Sequence, residues 1–88
     1  MEGKPRNKLR ELMKLFCANY NCTFEKIANE AGLKKSNFSR IVNHKKMTIE
    51  SYFAIADAMS RLSNMYDESY YLVRIKYALT IKDKREEE

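Results

Sequence analysis

Lys34, Lys35, Ser36, Asn37, Ser39 and Arg40 put three long cations and three short hydrogen-bonding side chains into seven positions, interrupted only by Phe38. Such a set makes charge-assisted hydrogen bonds to anions and reads donor and acceptor edges, and it needs no bond making to do so. The same character continues through Asn43, Lys45 and Lys46, and from Ala31 to Ile49 the chain carries five Lys or Arg and no acid. Catalytic material is sparse by comparison. His44 is the sole histidine, so a histidine-based catalytic or metal constellation has nothing to build on. Cys17 and Cys22 lie five apart, form no CxxC pair and have no companion ligands for zinc, so they are expected as two reduced thiols with Cys17 partly in the core. With only two glycines there is no glycine-rich phosphate loop and no nucleophile elbow. No paired acid and base shares a face outside the solvated surface. The expectation is therefore recognition and not enzymatic chemistry, with no cofactor, no metal and no small-molecule ligand.

The 88 residues suffice for one small domain, and 44% hydrophobic content can fill its core. No apolar run nears the length of a membrane span, and MEGKPRNKLRELMKLF has charges where a signal peptide would be apolar. A cytoplasmic location and no membrane partner are expected. The net charge of +5 is unevenly placed: Lys4, Arg6, Lys8 and Arg10 add to the central basic run, while Asp57, Asp67, Glu68 and the terminal Glu86, Glu87 and Glu88 hold acids elsewhere. One basic face aimed at a polyanion follows.

The elements that must position the basic run lie between Thr23 and Ile41. Ile27, Ala28 and Ala31 share one helix face, and Phe38 and Ile41 share a second, with Gly32 and Leu33 at a stop-and-restart between them. Thr23 is the N-cap of the first of these helices, with Glu25 in its first turn. The second is expected over about Lys35 to Asn43, with Phe38 and Ile41 buried and Lys35, Ser36, Asn37 and Arg40 on the open face. Lys34 stands where a cap would be, so Ser36 is a possible replacement two residues in. An earlier helix runs about Arg6 to Asn19 with Leu9, Leu12, Met13, Phe16 and Cys17 inward, after a loose basic arm at residues 1–6. A later one begins at Thr48 as N-cap and ends near Leu62, with Tyr52, Ile55, Ala56, Met59 and Leu62 as its core face.

This arrangement resembles the helix-turn-helix of the Cro/repressor (XRE-type) DNA-binding family. The matching residues are Thr23, Ile27-Ala28, Gly32-Leu33, Phe38-Ser39-Arg40, Asn43-His44-Lys45 and Thr48-Ile49-Glu50, and the likeness covers roughly residues 8 to 62. Three positions depart from the pattern. Phe24 stands where the family commonly has a glutamine that contacts a phosphate, Lys34 where it has a Ser or Thr cap, and His44 where it has glycine. The resemblance implies that Lys35, Ser36 and Arg40 read bases, with Asn37 at a base or the adjacent backbone. It also implies phosphate contacts from Thr23, Asn43, Lys45 and Lys46, helped by the N-terminal arm.

Beyond the polar segment Ser63–Ser69 the period changes. Tyr71, Val73, Ile75, Tyr77, Leu79 and Ile81 are apolar at every second position, which reads as a β-strand. A helix competes, because Leu72, Ile75 and Leu79 also fit helical spacing. A lone strand leaves its backbone groups and apolar face uncovered, so pairing with the same strand of a second copy, through residues 70–82, is expected. Residues 83–88 read as a solvated acidic tail.

The expected fold class is thus mainly α: a four-helix lambda-repressor-like helix-turn-helix domain over residues 1–64, then a C-terminal dimerisation strand and tail over 65–88. The expected function is sequence-specific binding of double-stranded DNA as a Cro-like repressor, a transcription regulator acting as a homodimer on a short inverted repeat. The competing reading is a protein-interaction module, antitoxin-like or an accessory regulator, with reduced or no operator binding.

Overall fold

The computed structural model describes residues 7–80, which form five helices: α1 (Lys8–Tyr20), α2 (Phe24–Ala31), α3 (Lys35–His44), α4 (Ile49–Ser63) and α5 (Glu68–Thr80). The basic arm at residues 1–6, Ile81, Lys82 and the acidic tail lie outside the described residues.

Each helix starts and stops for a local reason. Thr23 Oγ1 accepts the Lys26 N–H at 3.1 Å and Thr48 Oγ1 accepts the Ser51 N–H at 3.1 Å, so both threonines cap as expected. Asn7 caps α1 by accepting the Arg10 N–H at 3.0 Å, so the helix begins at Lys8, two residues later than the expected Arg6. Gly32 ends α2 at φ +74°, with its own N–H on the Asn29 carbonyl and the Leu33 N–H on the Ala28 carbonyl. That is a Schellman turn, and nothing lies within 4 Å of where a Cβ would stand, so the glycine is needed for its backbone angle and not for space. α3 starts at Lys35 with Lys34 in the cap position and no side-chain cap bond; Ser36 does not take over. His44 stays inside the last turn of α3, and the left-handed residue is Lys45, at φ +56° with its N–H on the Ile41 carbonyl.

One core joins all five helices. Leu9, Met13 and Phe16 from α1 meet Ile27 and Ala28 from α2, Phe38, Ile41 and Val42 from α3, and Ile55, Ala56 and Met59 from α4. α5 contributes Tyr71, Ile75 and Ala78, one side chain per turn, and packs against α4 and α1. Tyr52 Oη donates to the Leu72 carbonyl and ties α4 to α5.

The C-terminal segment is therefore a helix and not the expected β-strand, and no strand occurs among the described residues. The alternation of apolar residues is real, but the core uses only half of it: Tyr71 and Ile75 are buried, while Val73 and Tyr77 remain 67% and 65% exposed. A helix satisfies its own backbone groups, whereas a lone strand needs a partner ladder. Asp67 supplies the start, its Oδ1 accepting the Tyr70 N–H at 3.2 Å.

Candidate nucleic-acid interface

The burial of α3 settles which way its polar residues point. Phe38, Ile41 and Val42 are all buried, and Val42 was not among the expected core positions. At 3.6 residues per turn this trio sets the middle of the open face at Ser36, Arg40 and Asn43. Lys35 and Ser39 flank it on one side, Asn37 and His44 on the other. All seven are exposed. The four expected base-readers thus share one surface, with Arg40 nearer its centre and Lys35 at an edge.

Asn37, Arg40, Ile41 and His44 line a groove of about 280 Å³ that opens between α3 and the beginning of α4. Lys46, Met47, Thr48 and Ser51 form its other wall. Two base-reader candidates and one phosphate candidate therefore converge there, beside the N-terminal N–H groups of α4. Such groups favour negative charge. Among the described residues, none of Lys34, Lys35, Arg40, Lys45 and Lys46 has a carboxylate within ion-pair distance. Two acids are engaged elsewhere: Arg61 of α4 binds Glu30 of α2 at 2.7 Å and Asp57 of its own helix at 2.9 Å. These pairs are solvent-exposed and contribute about 1 kcal/mol or less each, but they withdraw Glu30 and Asp57 from the field of the basic surface.

The remaining phosphate candidates flank α3. Thr23 is exposed at the N-terminus of α2, its Oγ1 taken by the cap bond and its hydroxyl proton still available. Phe24, at the position where the resembled family has glutamine, is half-buried and packs edge-on against Phe38, with ring centroids 5.7 Å apart. It stiffens the α2–α3 corner and supplies no polar atom. Lys45 is half-exposed and Lys46 exposed just past the end of α3.

Asn43 has company that its sequence position did not announce. Its Oδ1 accepts from Arg10 Nη1 at 2.9 Å, and Asn7 Nδ2 donates to the Val42 carbonyl at 2.9 Å and the Asn43 carbonyl at 3.5 Å. The Asn7–Arg10 pair at the start of α1 is thereby stitched to the end of α3 across more than thirty residues, and it satisfies carbonyls that a helix end leaves without intrahelical partners. Arg10 is exposed and adds a guanidinium to the Asn43 end of the surface. Asn7 was missed in the sequence. The available signal was an Asn just before Leu9, the first of the apolar-periodic residues.

Among the described residues no group of His, Cys, Asp and Glu could hold a metal ion, and no helix is long and apolar enough to cross a membrane. Comparisons with family models, with curated proteins and with solved structures return no match to this chain.

Proposed function

We propose that this protein binds double-stranded DNA through α3 and regulates transcription, acting as a Cro-like repressor in the cytoplasm. The observation that carries the reading is the exposed, acid-free face of a short helix presented by a glycine-ended turn: Lys35, Ser36, Asn37 and Arg40 outward, with Arg10, Thr23, Lys45 and Lys46 around it. A helix about 10 Å across fits the B-DNA major groove, roughly 12 Å wide. In that seating Arg40 pairs with guanine, Lys35, Ser36 and Asn37 reach neighbouring base edges, and Thr23, Asn43, Lys45 and Lys46 hold phosphates.

The active form in this proposal is a homodimer on a short inverted repeat. Tyr70, Val73 and Tyr77 recur at i, i+3 and i+7 on the outer side of α5, and Tyr66 stacks on Tyr70 at 4.1 Å to extend the stripe. A helix apolar on two opposite faces has more to bury than its own core. Leu15 and Met65 are also exposed apolar side chains, and a symmetric pair would have this surface to cover. Two recognition helices about 34 Å apart would then meet successive major-groove faces.

A gel-shift titration tests the assignment. Arg40→Ala should weaken operator binding and relax one base position, a loss of about 1–3 kcal/mol. Lys45→Ala should weaken all sequences about equally and reduce the log–log salt slope by about 0.9. Operator affinity unchanged by both would remove the site. The second reading, a protein-interaction module, is favoured by the same α5 stripe and by Phe24 in place of a phosphate contact. Random duplex DNA across a salt series separates the two, because an interaction module shows no slope.

A further inference from the structure

Cys17 and Cys22 approach each other closely where α1 gives way to α2. Their sulfur atoms are 3.9 Å apart. The approach is set by the backbone: Asn21 takes the left-handed conformation at φ 55°, and the N–H groups of both Asn21 and Cys22 converge on the Cys17 carbonyl. A disulfide needs its sulfurs about 2.05 Å apart, so roughly 1 Å of movement by each sulfur would suffice. Both side chains are half-buried, packed against the core on one side and open on the other.

We infer that Cys17 and Cys22 form a dithiol modification site that a small-molecule disulfide converts to an intrachain disulfide in the folded protein. This inference stands independently of DNA binding. Burial, and then the neighbouring Cys22, push the Cys17 thiol up to about 12, so Cys17 stays protonated and attack begins at Cys22. The Cys22 thiolate displaces one thiolate from the reagent disulfide, and a mixed disulfide forms on Cys22. Cys17 gives up its proton to solvent as its sulfur attacks the adjacent Cys22 sulfur, and the second reagent thiol is released. The protein loses two hydrogens and two electrons, and the reagent disulfide becomes two thiols. The bridge immobilises the residue directly before Thr23, the cap of α2.

The test uses the folded full chain in graded mixtures of reduced and oxidised glutathione, followed by acid quench, maleimide alkylation and intact-mass measurement. The expected product is a monomer two hydrogens lighter that takes up no maleimide. Cys17→Ala should stop at an adduct retaining one glutathione, and Cys22→Ala should react several-fold more slowly than wild type. Both thiols alkylated at every ratio, a covalent dimer as the oxidised product, or bridge formation only after unfolding in guanidinium would each overturn the inference. The wild-type measurement decides even if a variant fails to fold.

Discussion

Two residues carry costs that the fold tolerates for identifiable reasons. Lys45 holds φ +56°, a region that costs a non-glycine residue about 1–2 kcal/mol. A lysine there keeps a cation at the negative end of α3, beside the proposed phosphate path. Lys45→Gly should therefore raise stability by about 1 kcal/mol in urea unfolding while weakening DNA binding. A variant no more stable than wild type would mean that the turn is not strained. Tyr71 is 3% exposed, and its Oη is buried without a partner of hydrogen-bond geometry. Burial pushes its hydroxyl up to about 12 from 10.0, with Ser63 and Tyr20 acting in opposite directions. The unfolded chain thus gives up this proton first as pH rises. The stability linked to it is complete below about pH 10 and is lost as pH climbs towards 12. Tyr71→Phe should shrink that alkaline loss and leave neutral stability within about 1 kcal/mol of wild type, since no hydrogen bond is removed. Denaturant melts at about pH 8 and pH 11 check both outcomes.

Among the elements, α3 and α5 show opposite relations between pattern and placement. The apolar spacing of Phe38 and Ile41 located α3 and its open face, and Gly32 marked the turn before it. Val42 was harder to place because one β-branched residue next to Ile41 fits either a buried or an edge position. Its burial moves the centre of the open face toward Arg40. In α5 the alternation from Tyr71 to Leu79 satisfied two periods at once, and local pattern could not choose between them. Asp67 followed by Glu68 was the discriminating signal, a capping acid and a first-turn acid suited to a helix start. The residues that made the strand persuasive, Val73 and Tyr77, became the second apolar face of a helix. Val73→Glu places a charge on that exposed face and none in the core. It should leave the melting temperature of dilute protein within a few degrees and shift the species at micromolar concentration from dimer to monomer by sedimentation. A wild-type chain that is already monomeric there would remove the stripe from the dimer proposal.

Across the whole molecule, α5 and α3 sit in different packing relations, α5 against α4 and α1 and α3 against α2 and α1. In the proposed dimer, pairing through α5 would leave each α3 uncovered, since α3 packs against α2 and α1 and not against α5. The amino-acid order by itself determined four helices, their caps at Thr23 and Thr48, the turn at Gly32, and a cationic segment without acids, because each of these depends on neighbours within one or two turns. Residues 68–80 form a helix whose start Asp67 and Glu68 favour locally and whose buried face the tertiary structure fixes, since the core accepts Tyr71, Ile75 and Ala78 together. The tertiary structure alone joined Asn7 and Arg10 to the end of α3 and brought the sulfurs of Cys17 and Cys22 within 3.9 Å. Contacts of that kind depend on how helices cross and where chain ends meet, quantities that no short-range periodicity encodes.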